Sequence, residues 1–112
     1  MDCIFCAIAQ GAIPSKVAYE DEDVFAFYDI APQAPVHVLV IPKAHIASVD
    51  ECNEENIETV SRVMLAIPKV AKAAGLTNGY RVVTNVGEDG CQSVKHLHFH
   101  LLGGKRLPEE IV

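Results

Sequence analysis

The densest chemistry in this 112-residue chain lies near its C-terminal end, in Lys95-His96-Leu97-His98-Phe99-His100-Leu101-Leu102. In an extended strand, period-two geometry puts the three imidazoles on one face and Leu97, Phe99 and Leu101 on the other. Successive histidines on such a face stand about 7 Å apart, so they can surround a ligand but cannot all bond one atom without help from elsewhere. His37, on another predicted strand, is the candidate for that help. An imidazole, with a pKa of about 6.5, serves as nucleophile, base or acid near neutrality, and its neutral form still donates one hydrogen bond to a phosphoryl oxygen. A single strand histidine is ordinarily a hydrogen-bonded or solvated side chain, but three in alternation are harder to explain that way. The same face also suits a metal, with His37 joining the three to ligate zinc or iron around an open coordination position. The preceding loop, Gly90-Cys91-Gln92-Ser93-Val94, favours an anion, because it offers backbone N–H groups and a hydroxyl beside that face. A metal hydrolase more often brings a carboxylate there.

A second constellation is Cys3-x-x-Cys6 together with the stretch from His37 to His45, HVLVIPKAH. The two cysteines are too close to act as a long-range disulfide staple, and a redox CxxC requires a strand before it, which the N-terminal position denies. Metal ligation remains. A tetrahedral Cys2His2 site needs two histidines, and no spacing rule names them. Cys52 and Cys91 read as unpaired thiols.

The elements that must position these groups follow from periodicity and turn signals. Residues 2–10 read as a short helix with a cap at Asp2 and a stop at Gly11. Residues 17–20 and 23–29 read as a hairpin around the acidic Asp21-Glu22 turn, and 36–41 as an apolar strand closed by Pro42. Residues 53–74 form one long helical stretch with Ile57, Val60, Met64, Ile67 and Ala71 as its buried face, ended by Gly75. Pro68 inside it is expected to kink or split the helix. The last two strands are 80–85 and 95–102, separated by a polar loop over 86–93. Five strands with two helices set apart from them argue for an antiparallel α+β domain.

Half of the residues are hydrophobic, and the length matches one domain. The formal charge of −6 repels a nucleic-acid backbone, so polymeric DNA or RNA is not an expected partner. A small anion is still admissible, since imidazoles and backbone N–H groups make a pocket locally favourable. No apolar run has the length to cross a bilayer and no basic leader opens the chain, so a cytoplasmic protein without a membrane partner is expected.

With these residues in view, the chain resembles the histidine triad (HIT) family, in its Hint branch of purine nucleoside phosphoramidases. The resemblance is carried by CIFCAIAQGAIPSKVAYEDEDVFAFYDIAPQAPVHVLVIPKAHI at the front and GYRVVTNVGEDGCQSVKHLHFHLLGG at the back. It implies a single HIT-like domain over 1–112, built on a five-stranded antiparallel sheet with one short N-terminal helix and one long helix. It also implies cleavage of purine nucleoside 5'-phosphoramidates through a nucleotidyl-histidine. His98 matches the nucleophile, its other ring nitrogen held by a backbone carbonyl. His100 matches the histidine on the α-phosphate, and His37 the upstream histidine of the pocket. Asn85 and Ser93 match polar groups around the phosphate and leaving group, and Asp29 the acid that binds the ribose hydroxyls. Phe5, Ile8, Ile13, Phe27, Ile30 and Leu39 fall where the family forms its apolar base cleft, a core role being the plain alternative for each.

Relatives that carry CxxC hold a structural zinc, which here implies Cys3, Cys6, His45 and His96 as ligands, with no organic cofactor. Such a closed site stabilises the fold without touching the chemistry. A homodimer is implied as well. Two departures stand out: Cys91 replaces a glycine common in that branch, and the tail GGKRLPEEIV lacks its tryptophan and proline ending. The alternatives are a dinucleoside polyphosphate hydrolase or nucleotidyl transferase, and a non-catalytic AMP sensor.

Overall fold

A computed structural model describes residues 3–111, so the helix cap expected at Asp2 lies outside the described residues. In chain order the elements are α1 (Ile4–Ala9), β1 (Val17–Glu20), β2 (Val24–Tyr28), β3 (Val36–Pro42), a single 3-10 turn at Val49–Glu51, α2 (Ile57–Ala73), β4 (Arg81–Val83) and β5 (Phe99–Gly103). The strands form one antiparallel sheet in the order β1-β2-β3-β5-β4. This is the five-stranded sheet with one short and one long helix that the sequence leads one to expect.

Alternation along β2 and β3 gives the sheet two apolar faces. Val24, Ala26, Val38 and Val40 join Leu101 in a cluster with Val63, Ala66, Ile67, Val70 and Ala71 of α2. Phe25, Phe27, Leu39 and Ile41 point the other way and pack with Phe5 and Ile8 of α1. Both faces of these two central strands are therefore covered, which explains their near-continuous hydrophobic runs.

Helix α1 opens on Cys3, whose Sγ accepts the Cys6 N–H at 3.4 Å in the role a serine usually fills. Helix α2 begins at Ile57, later than the expected 53, because residues 53–56 satisfy one another in a polar turn. The Asn53 side-chain oxygen accepts from the backbone N–H of Glu55 at 2.9 Å and of Asn56 at 3.0 Å, and the Asn56 oxygen accepts from Asn53 at 2.9 Å. Gly75, at φ +81°, ends α2 in the left-handed conformation that a side chain resists.

Three expectations about α2 and the last strands are corrected. Of the kink or split expected at Pro68, the split does not occur, and α2 runs unbroken through it. Pro68 and Met64, whose carbonyl loses its partner, are both exposed, so the missing donor is lost on the solvent side of the helix and not against the sheet. The buried face is centred on Val63, Ala66, Ile67, Val70 and Ala71, whereas Ile57 is 52% and Met64 51% exposed. Two apolar stripes adjoin on this helix, and periodicity alone does not say which one meets the sheet. Strands β4 and β5 are shorter than 80–85 and 95–102: regular pairing with β3 begins only at Phe99, so His96 and His98 precede the ladder. Among the described residues, no helix is long and apolar enough to cross a membrane.

Candidate functional site

Pairing of β3 with β5 sets Leu39 opposite His100 and His37 opposite Leu102, which brings His37 and His100 onto one face as diagonal neighbours. Nε2 of His37 lies 2.8 Å from Nδ1 of His100. The direction of that hydrogen bond follows from the far side of the His37 ring, where the Gln33 N–H donates to Nδ1 at 3.1 Å. A ring nitrogen that accepts carries no proton, so a neutral His37 is protonated on Nε2 and donates to His100. His100 then carries its own proton on Nε2, free to donate outward. Asp29 stands behind the pair, its Oδ2 3.5 Å from His37 Nε2, with its Oδ1 accepting the Ala31 N–H at 2.8 Å.

Both rings are held neutral. Burial pulls the His37 pKa below the usual imidazole value, with Asp29 opposing. Burial likewise lowers His100, to about 4, and the neighbouring His98 and His37 add to the effect.

His98 is oriented differently. Its Nδ1 lies 2.6 Å from the carbonyl oxygen of His96, so Nδ1 bears the proton and Nε2 bears the lone pair. His98 as a whole is 4% exposed, with the Phe5 and His100 rings each 5.1 Å from its own, centre to centre. Among the described residues no sealed side-chain nitrogen or oxygen lacks a partner. Since Nε2 of His98 bonds none of them, it sits at the narrow exposed part of the ring. Thr84 anchors this backbone by donating its hydroxyl to the His98 carbonyl at 2.8 Å.

His96 turns away from these rings, into the protein. Its Nε2 donates to the Pro42 carbonyl at 2.8 Å, which leaves the Nδ1 lone pair aimed at the cysteines of α1. Nδ1 of His96 is 3.3 Å from Cys3 Sγ and 3.4 Å from Cys6 Sγ, and Nδ1 of His45 is 3.3 Å from Cys6 Sγ. The four ligand atoms lie within 4.8 Å of one another. Neighbouring corners of a tetrahedron with metal–ligand bonds of about 2.0–2.3 Å are roughly 3.5 Å apart, so the donor set and its spacing fit a zinc ion. Burial, then the adjacent Cys3, pushes the Cys6 thiol up to about 11, and a bound dication reverses that preference.

The other residues singled out in the sequence are distributed as follows. Phe5, Ile8, Phe27 and Leu39 are buried together in the cluster under α1. Ile13 and Ile30 are not part of it, being 37% and fully exposed. Asn85 is half-buried just after Thr84, and Ser93 is exposed on the loop before His96. Ser93 lines a cleft of about 640 Å³ with Lys95, Cys3, Cys6 and His45. That cleft opens on the cysteine cluster and does not include His98 or His100.

Besides Thr84, two groups escaped sequence reasoning. Gln92 clamps the loop, donating from Nε2 to the carbonyls of Ala47 at 2.7 Å and Val94 at 3.0 Å while Oε1 accepts the Gly87 N–H at 3.1 Å. Its signal was present but weak: a side-chain amide, able to donate twice and accept, in a loop whose other polar side chains are two carboxylates and a hydroxyl. The Gln33 N–H that sets the His37 tautomer left no signal, because backbone amides carry no residue identity.

Comparison with known proteins extends these observations. The HIT domain signature matches residues 10–107. The 14 kDa zinc-binding protein of Zea mays is 49% identical over 106 residues, covering 93% of this chain and 83% of the relative. A HIT family hydrolase from Clostridium thermocellum superposes with a TM-score of 0.94 at 48% identity, over 99% of this chain and 97% of the other. A histidine triad protein from Clostridium difficile superposes with a TM-score of 0.92 at 50% identity, over 98% and 96%. Agreement in sequence over residues 10–107 and in fold over nearly the whole chain places this chain in the HIT domain family.

Proposed function

We propose that this chain is a hydrolase of purine nucleoside 5'-phosphoramidates, working through a nucleotidyl intermediate on His98. The observation that carries the reading is the bond from His98 Nδ1 to the His96 carbonyl, which leaves the unprotonated Nε2 as the outward nitrogen. That lone pair attacks the α-phosphorus in line and the P–N bond breaks. The departing amine needs a proton, which the Ser93 hydroxyl relays from solvent, since His37 and His100 are held neutral and have none to give. Water then attacks the same phosphorus, releases the nucleoside monophosphate and restores His98. One difficult displacement becomes two easier ones.

His100 holds a phosphoryl oxygen through its Nε2–H, and it does so at neutral pH because His37 fixes the proton there. Each donor aimed at developing charge in this way is worth roughly 3 kcal/mol in the transition state. Asn85 serves the same oxygens. Asp29 has Oδ1 occupied by Ala31, which leaves Oδ2 for the ribose hydroxyls. The base lies against the apolar cluster of Ile8, Phe27 and Leu39, with Ile13 and Ile30 as its exposed rim.

A zinc ion on Cys3, Cys6, His45 and His96 ties α1 to the segment before β5, and no step of the reaction is routed through it. The exposed Ile57, Met64 and Leu65 of α2, with the free edge of β4, support a homodimer. The test is turnover of AMP joined to an amine, beside diadenosine polyphosphates, by the native protein and by His98→Asn. The variant is expected to bind AMP within a few-fold of the native protein and to be inert. Native turnover by His98→Asn removes the reading, and preference for the polyphosphate moves it to another leaving group.

A further inference from the structure

The cysteine cluster is not enclosed on all sides. A tetrahedral ion has four triangular faces, and three of the four residues that suit it, Cys3, Cys6 and His45, line the cleft of about 640 Å³, whereas His96 does not. The cleft therefore stands over one face of the site, with His96 behind. The closed site that the family resemblance implies is open here on that face.

The four residues are also unequally held. His96 is fully buried, and its Nε2–H donates to the Pro42 carbonyl at 2.8 Å, the outer hydrogen bond that fixes a ligating imidazole. Cys6 is buried within α1. His45 is exposed, and among the described residues its ring makes no hydrogen bond apart from the contact of Nδ1 with Cys6 Sγ. It lacks the outer bond that His96 has, so it is the ligand most easily turned away.

The rest of the cleft suits an incoming anion. Lys95 is exposed in its lining, Ser93 offers a hydroxyl, and Ile4 and Val94 make an apolar wall. Among the described residues no carboxylate lines it, although the chain as a whole carries a formal charge of −6. Zinc has no geometric preference from its d electrons and admits a fifth ligand, so an anion reaching the open face can bond before a protein ligand leaves.

We propose that this cleft is a zinc-exchange port, in which a small chelating anion enters beside Lys95, bonds across the Cys3–Cys6–His45 face and displaces His45 first, with Cys6 and His96 released last. In the first step the bond from His45 Nδ1 breaks as the bond from the anion forms, and the imidazole leaves neutral, so no proton has to move. The proposal rests on reading the cluster as a zinc site. It gives the chain a capacity to hand over metal that is independent of His98.

The experiment uses the native protein loaded with one equivalent of zinc, checked by elemental analysis after gel filtration, and mixed with excess pyridylazoresorcinol, an anionic chelator whose absorbance reports transfer. The rate is expected to rise in proportion to chelator concentration. Ile4→Trp fills the cleft from a half-exposed position and is expected to slow transfer at least tenfold, whereas Val17→Trp, equally exposed on β1 outside the cleft, is expected to change it less than twofold. Lys95→Glu is expected to slow transfer severalfold at low salt and less in about 1 M salt, where the Debye length is about 3 Å. His45→Ala is expected to speed transfer at least tenfold. A rate independent of chelator concentration means that the ion leaves unaided and overturns the proposal. Native rates in Ile4→Trp, Lys95→Glu or His45→Ala also overturn it, as does equal slowing in Val17→Trp. Protein that keeps one equivalent of zinc and fails these kinetic tests removes the port alone, whereas protein that keeps no zinc through gel filtration removes the reading of the cluster beneath it.

Discussion

His96 serves two directions at once: its ring nitrogen Nδ1 faces the sulfur atoms of Cys3 and Cys6, while its backbone carbonyl accepts the Nδ1 proton of His98 at 2.6 Å. One residue thus joins the cluster that suits a metal to the imidazole that suits attack on phosphorus. Alternation of histidines along the chain does not require this division. It arises because the backbone at His96 and His98 precedes the β3–β5 ladder, which frees the first ring to turn toward α1.

Metal removal is the first consequence to measure. A ligand that binds only the folded state adds about 4 kcal/mol when present at a thousand times its dissociation constant. At about 4 °C or more per kcal/mol, chelation is expected to lower the melting temperature by over ten degrees, and added zinc to restore it. Cys6→Ser should melt near the chelated native protein and respond little to zinc. A native melting temperature indifferent to chelator sinks the Cys3, Cys6, His45 and His96 assignment.

Stability should also fall on mild acidification. Burial lowers the folded pKa of His100 to about 4, against about 6.5 for the unfolded chain. Between those values the unfolded state binds the extra proton, so stability is full above about pH 6.5 and declines as pH falls toward 4. His37 is shifted in the same direction and adds to the slope. Urea midpoints at pH 7.5, 6 and 5 should show a shallower decline for His100→Gln than for the native protein. Parallel slopes mean that His100 is not held neutral by the fold.

Most of the sheet was legible in the sequence because β2 and β3 are short apolar runs bounded by turn residues and β1 precedes the acidic turn. The limits of β5 were not, since the period-two pattern of His96 to Leu102 records which way side chains point and not where the hydrogen-bonded ladder starts. The buried face of α2 was read correctly at Ile67 and Ala71 and wrongly at Ile57 and Met64, which make a second stripe as apolar as the one that meets the sheet. In the cluster, Cys3 and Cys6 announce themselves by spacing, but His45 and His96 lie 39 and 90 residues from Cys6 and are named only through family resemblance. The carbonyl on the second ring nitrogen of His98 is implied by the family resemblance and is found on His96, whereas the Gln33 amide that sets His37 and the Pro42 carbonyl that sets His96 are foretold by no side-chain pattern.

Cys91 adopts φ +58°, the one positive value outside glycine among the described residues, and it is exposed. A side chain there costs about 1–2 kcal/mol relative to its usual conformation, partly offset by the greater freedom glycine has when unfolded. Cys91→Gly is therefore expected to raise stability by about 0.5–1 kcal/mol, while Cys91→Ala, which keeps a Cβ, gains nothing. Equal effects from the two variants, in paired urea titrations, mean that the thiol and not the backbone decides the outcome.

Gln92 supports the last prediction. Its side chain makes three hydrogen bonds, one to the Gly87 N–H and two to the carbonyls of Ala47 and Val94, and so ties the loop bearing Ser93 to the segment after His45. A typical net contribution of about 1 kcal/mol per bond puts the cost of Gln92→Ala at roughly 2–3 kcal/mol if the loop stays in place. Loops on the surface open more readily than the sheet does, so part of that cost is expected to appear as loop mobility and not as global unfolding. Hydrogen exchange at residues 87–94 should then accelerate more than at β3 or β5, and turnover should fall with Ser93 less well placed. Gln92→Glu keeps the acceptor for Gly87 and loses the two donors, so it should fall on the same side as alanine. Protection of the loop unchanged in Gln92→Ala means that the backbone bonds of Gln92 to Gly87 and Cys91 to Glu88, both 3.0 Å, hold it without the side chain.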